Sequence, residues 1–93
     1  METPVYGIIY GLFFPNGCYI GQTIQGENVR WKEHLRDSNA GSKLPVHNAI
    51  RKYYNIDTTK NKVQMSVIHK AYSLEELNKL ETEYIIKNNT FNN

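Results

Sequence analysis

At 93 residues and 10.8 kDa the chain is one domain, near the lower limit of what folds alone. A composition of 40% hydrophobic and 22% charged residues excludes a disordered chain, and no apolar run is long enough for a membrane span. A net charge of +2 is too small to identify a nucleic-acid binder, and the single Cys18 excludes an intrachain disulfide framework and a cysteine-based zinc site. The segment Met1 to Pro4 has no positive stretch leading into an apolar one, so no secretory signal is read, and an intracellular setting is expected.

Val5 to Phe14 reads as a strand that is apolar on both faces and therefore covered on both. Pro15-Asn16-Gly17 is a hairpin turn, and Cys18 to Gly21 is the returning strand. A two-residue turn at Asn16-Gly17 sets Phe14 opposite Tyr19 and Leu12 opposite Gly21. Tyr10, Leu12, Phe14, Tyr19 and Gly21 then share one face. Gln22 to Gly26 is a loop. Glu27 to about Asp37 is a first helix with an apolar stripe of Trp31 and Leu35, flanked by Arg30 and His34. Ser38 to Lys43 is a polar linker. Pro45 opens a second helix to about Tyr54, with Val46, Ala49, Ile50 and Tyr53 inward. Asn55 to Lys62 is a polar loop, and Val63 to His69 alternates as a strand with Val63, Met65 and Val67 on one face. Ser73-Leu74-Glu75-Glu76 is a capping box that starts a third helix to about Lys87. The domain is expected over residues 1–88, with 89–93 a frayed or truncated tail. The order gives an α+β fold, a small three-stranded antiparallel sheet flanked by three helices.

One residue resists a purely structural reading. Leu74, Leu77, Tyr84 and Ile85 set the apolar face of the third helix, and Glu81 falls in the middle of it. An unpaired carboxylate in a core costs several kcal/mol or becomes neutral. It has two readings: an ion-pair partner for a cation such as Arg30, or a ligand for a divalent cation such as Mg²⁺, which is commonly held by one or two carboxylates, water and phosphate oxygens. Between Glu27 and Lys52 six basic residues (Arg30, Lys32, Arg36, Lys43, Arg51, Lys52) face three acidic ones (Glu27, Glu33, Asp37). That local excess suits a phosphate backbone as well as an ordinary solvated helix face. Arg30 is a candidate phosphate clamp and His34 a candidate proton acceptor. Tyr10 and Tyr19 are either sheet tyrosines or bases that need a nearby cation. His47 and Arg51, four apart, are candidate nucleic-acid contacts whose simpler reading is solvent-facing.

Gly7-Ile8-Ile9-Tyr10, Cys18-Tyr19-Ile20-Gly21-Gln22-Thr23, Val29-Arg30-Trp31-Lys32-Glu33-His34-Leu35, Asn48-Ala49-Ile50-Arg51-Lys52-Tyr53 and Leu80-Glu81-Thr82-Glu83-Tyr84-Ile85 together resemble the GIY-YIG nuclease domain. The blocks run in order through nearly the whole chain. The resemblance implies hydrolysis of a DNA phosphodiester with one divalent metal, Mg²⁺ or Mn²⁺ in its place, in a homing, mobile-element, repair or restriction setting. It implies catalytic roles for Tyr10, Tyr19, Arg30, His34 and Glu81, with Glu81 the metal ligand, and substrate contacts at Gly21 and Arg30; Arg51 is added as a third. Gly21 is expected to leave room for the substrate backbone. Target specificity is expected from a further DNA-binding domain or partner. The first motif carries one residue more than the family's triplet. The family's Gly-Tyr-Asn segment has no counterpart before Asn93, so it is either cut off or replaced by Asn89, Asn92 or Asn93. The other readings are a non-catalytic nucleic-acid-binding module with the same fold, or a small structural domain.

Overall fold

The computed structural model describes residues 4–15, 17–54 and 63–88. Its elements run β1 (Gly7–Phe14), β2 (Gly17–Thr23), α1 (Glu27–Asn39), α2 (Pro45–Tyr53), β3 (Gln64–Ala71) and α3 (Leu74–Asn88). The strands form one antiparallel sheet in the order β2-β1-β3. This is the α+β architecture read from the sequence. The polar loop expected over Asn55 to Lys62 and the tail at 89–93 lie outside the described residues.

Central β1 alternates its side chains between two cores, as its apolar faces require. Ile8, Tyr10, Leu12 and Phe14 pack with Val46, Ala49, Ile50 and Val63, and Trp31 and Leu35 of α1 lean against the same cluster. Ile9 packs on the other side with Ile20, Ala71 and Leu77, joined by Leu80, Tyr84 and Ile85 of α3. Thus α1 and α2 cover one face of the sheet and α3 the other. Among the described residues no helix is long and apolar enough to cross a membrane.

Three local expectations change. The hairpin is tighter by two residues, with Phe14 opposite Gly17, Leu12 opposite Tyr19 and Tyr10 opposite Gly21. A shift of two keeps every side chain on its face, so Tyr10, Tyr19 and Gly21 still share one. Next, β3 runs on to Ala71, and its pairing with β1 is irregular between Ile9 and Tyr10, where Ile68 is the extra residue. This bulge reverses the alternation. Val63 and Met65 pack with the first core, but Ala71 reaches the second. Val67, expected beside Val63 and Met65, is 41% exposed. Finally, Leu74 does not belong to the buried face of α3. It is 55% exposed, and the packing of α3 on the sheet starts at Leu77.

The helix ends follow local chemistry. Pro45 sits in the first turn of α2, where its missing N–H costs nothing, and the His47 and Asn48 amides donate to Leu44 O. Half of the capping box is formed as expected, with the Glu76 amide donating to Ser73 Oγ, while Glu76 Oε1 accepts from the Tyr72 amide, one residue before the cap. Gly26 precedes α1 at φ 89°, a left-handed conformation that glycine adopts without strain.

Candidate active site

The helices carry the main surprise of the structure, because their buried positions are not all apolar. In α1 the fully buried residues are His34 and Ser38, one turn apart, while Trp31 and Leu35 are only half-buried. In α2 His47 is buried beside Val46, Ala49 and Ile50. The expectation that His47 faces solvent is therefore corrected: it is 4% exposed. At about 100° per residue His47 lies roughly 60° outside the apolar arc that ends at Ile50, so the helical pattern alone does not announce its burial.

These side chains form a continuous hydrogen-bonded row. Arg30 Nε donates to Tyr10 Oη at 3.1 Å. Tyr10 Oη lies 2.7 Å from His34 Nε2, His34 Nδ1 lies 3.1 Å from His47 Nε2, and His47 Nδ1 lies 2.6 Å from Ser42 Oγ. Ser38 Oγ donates to the His34 carbonyl one turn back, leaving the His34 ring free for the row. The Tyr19 ring packs edge-on against His34, centroids 5.3 Å apart, and lies 6.1 Å from the Tyr10 ring.

Burial sets the protonation of this row. It lowers the His34 pKa to about 4, helped by the Arg30 and His47 charges and opposed by Asp37. His47 is lowered first by burial as well. Both imidazoles are therefore neutral at physiological pH. The Tyr10 phenol is pushed well up, by burial and then by Tyr19, against the lowering pull of Arg30. A standing phenolate at Tyr10 is thus unfavourable. Tyr10 is 0% exposed, whereas Tyr19 is half-buried, so solvent reaches the second tyrosine and not the first.

Gly21 acquires a different role from the one expected. A Cβ built there would lie 2.5 Å from Tyr10 Oη and 2.9 Å from Tyr19 Cε1. The missing side chain is the space in which the two phenols sit. Gly21→Ala must push the Tyr10 ring aside, at about 1–3 kcal/mol of overpacking. Thermal melts are expected to show a fall of several degrees, and an unchanged melting temperature would reject this reading.

Glu81 reaches the same neighbourhood from the opposite face of the sheet. It is half-buried, and Gln22 Nε2 donates to its Oε1 at 3.4 Å and to Asn78 Oδ1 at 3.0 Å. Burial raises its pKa, against the lowering effects of the Gln22 hydrogen bond and the Arg30 charge. No Arg30–Glu81 ion pair is formed among the described residues; Arg30 instead stands 3.7 Å from Glu33, its neighbour one turn on. The purely structural pairing with Arg30 is therefore absent. β2 is an edge strand, and the Arg30 charge is felt at Glu81. Gln22, Gln25, Arg30, Glu33, Leu74 and Asn78 help to line a cleft of about 360 Å³, and Glu81 is tied to this lining through its bond from Gln22. Gln22 carries no distinguishing signal in the sequence, and only the fold reveals that it bridges β2 to α3.

The residues present fit a divalent cation. Glu81 offers a hard oxygen donor, its hydrogen bond from Gln22 is long, and its burial disfavours an uncompensated charge. Among the described residues no three His, Cys, Asp or Glu side chains cluster as metal ligands. One carboxylate with water and phosphate oxygens is the pattern that suits Mg²⁺.

Arg51 stands apart from this group. Its Nη1 donates to Ser38 O at 2.8 Å and its Nη2 bonds Asn48 Oδ1, so it ties the end of α1 to α2. The candidate tail asparagines, Asn89, Asn92 and Asn93, lie outside the described residues.

Tyr10 from β1, Tyr19 from β2, Arg30 and His34 from α1 and Glu81 from α3 thus gather around the β2 edge. Comparisons with curated proteins and with solved structures gave no significant match. The family model of the GIY-YIG catalytic domain matches residues 6–93, so the chain belongs to the GIY-YIG family and is a nuclease catalytic domain.

Proposed function

We propose that this domain is a Mg²⁺-dependent DNA endonuclease, with Mn²⁺ a working substitute, and that it serves a homing-type or mobile-element enzyme. The supporting observation is that Arg30, bonded to Tyr10, lines a cleft whose Gln22 also bonds the partly desolvated Glu81 carboxylate. Each part has a physical task. Glu81 would hold the cation, which when bound would neutralise charge developing on the phosphate. Arg30 anchors its Nε on Tyr10, and its terminal nitrogens, of which Nη1 stands 3.7 Å from the partly exposed Glu33, are the donors for phosphate oxygens. Tyr19 is the phenol open to solvent and is the one that orients the attacking water, while Tyr10 supports it from behind. His34, held neutral by burial and bonded to Tyr10, would relay a proton along the row rather than keep it. Gly21 serves the substrate indirectly, by seating the phenols. Arg51, already bonded twice, contributes positive charge near the backbone path rather than a catalytic contact.

Specific DNA interfaces commonly bury about 1,000 Å² or more of protein. A catalytic domain this small therefore takes its target specificity from a further DNA-binding domain or a partner. Supercoiled plasmid incubated with the protein tests the activity. Nicking is expected with Mg²⁺ or Mn²⁺, and EDTA is expected to abolish it. Salt-sensitive DNA binding without cleavage under either metal would instead identify a non-catalytic binding module.

A further inference from the structure

His34 and His47 are in direct contact, and both are neutral. A neutral imidazole has one N–H and one bare nitrogen. The 3.1 Å contact between His34 Nδ1 and His47 Nε2 therefore needs a proton on one side and a lone pair on the other. That requirement links the tautomers of the two rings and extends to Tyr10 at one end and Ser42 at the other. Only two arrangements satisfy all three bonds. In the first, Tyr10 donates to His34 Nε2, His34 Nδ1–H to His47 Nε2, and His47 Nδ1–H to Ser42 Oγ. In the second, every donor and acceptor is exchanged. Any mixture sets two protons or two lone pairs against each other.

The charges around the row favour the first arrangement. At His34 the Arg30 charge outweighs that of Asp37; at His47 the order is reversed, with Arg51 a smaller influence there. The row thus lies in a field running from a cation at the Tyr10 end toward an anion at the His47 end. Each N–H and O–H dipole is lowered in energy when its proton points away from Arg30. Burial adds to this: Tyr10 is fully buried and its oxygen already accepts from Arg30 Nε, so its proton needs His34 Nε2 as acceptor, whereas the partly exposed Ser42 can turn its own proton to solvent.

We propose that His47, anchored on Ser42, is a positioning residue that holds His34 in its Nδ1–H tautomer with a bare Nε2 facing Tyr10. The Tyr10 proton is then committed to His34, and its oxygen offers only lone pairs to Arg30 and toward Tyr19, whose ring centroid lies 6.1 Å from its own. A Tyr19 hydroxyl turned toward Tyr10 would donate inward and keep its own lone pairs for an incoming water. The consequence for cleavage rests on the nuclease reading; the tautomer itself does not.

The test is long-range ¹H–¹⁵N correlation spectroscopy on the full chain with ¹⁵N-labelled histidine, beside plasmid cleavage. Wild type is expected to show His34 protonated on Nδ1. In H47Q the carboxamide oxygen can still accept that proton, so the tautomer is retained and cleavage stays near wild type. In H47L the acceptor is gone, His34 moves to the Nε2–H form, and kcat falls about tenfold or more with little change in KM, as expected when an orienting partner is lost. A wild-type His34 protonated on Nε2 overturns the proposal, and so does a folded H47L that keeps Nδ1–H. If H47L does not fold, the wild-type and H47Q spectra still decide it. If the tautomers behave as described while wild type cleaves nothing, the nuclease reading fails and the positioning role stands.

Discussion

Replacing Glu81 with glutamine is expected to abolish cleavage while leaving the melting temperature equal to or above that of wild type. Burial raises the Glu81 pKa, so the folded protein binds this proton more tightly than the unfolded chain does. A carboxyl raised in this way contributes its stability below its unfolded pKa, and that contribution is lost as pH rises through the folded value. At neutral pH the ionised side chain is therefore a net cost. Glutamine keeps the shape, can still accept from Gln22, and carries no charge to desolvate. The melting advantage of E81Q should be visible at pH 7 and should vanish as pH falls through the carboxylate range. Cleavage should fall by about a hundredfold or more, the scale of losing a principal source of transition-state charge stabilisation. Plasmid nicking and thermal melts on the same preparations measure both. Undiminished nicking would remove Glu81 from the mechanism. A large drop in melting temperature would make it a structural residue.

The same cost of burial makes Glu81 legible in the amino-acid sequence. A carboxylate in an apolar helical arc breaks the pattern of its own helix, and a break of that kind needs no knowledge of distant neighbours to be seen. The fold is legible for a similar reason. The two-faced apolar strand, the hairpin turn, Pro45 and the Ser73 capping box are local signals that agree with one another. What escapes the sequence depends on partners far along the chain. His47 reads as solvent-facing because its neighbour Arg51 is charged, and nothing local says that His34 waits across the helix pair. Gly21 reads as room for substrate, when the space belongs to a tyrosine opposite it on β1. The bulge at Ile68 leaves no mark in the alternation of Val63, Met65 and Val67, because it is imposed by pairing with β1.

Arg30→Ala is expected to lower cleavage about a hundredfold to a thousandfold, in the range found when one preorganised donor to a developing anion is removed. Its effect on stability should be far smaller. The Arg30–Glu33 pair is partly exposed and contributes little. Tyr10 Oη loses a charged donor but keeps its bond to His34, which places the cost at about 1–2 kcal/mol. The informative comparison is Arg30→Lys. A lysine ammonium can satisfy the Tyr10 oxygen, so the melting temperature should return toward wild type. It cannot bond Tyr10 and present a planar pair of N–H groups to a phosphate at the same time. Arginine does both, because its Nε and its terminal nitrogens are separate donors on one rigid plane. Cleavage should therefore stay low in Arg30→Lys even though stability recovers. If lysine restores both together, positive charge alone is sufficient at this position, and the forked contact to phosphate is not needed.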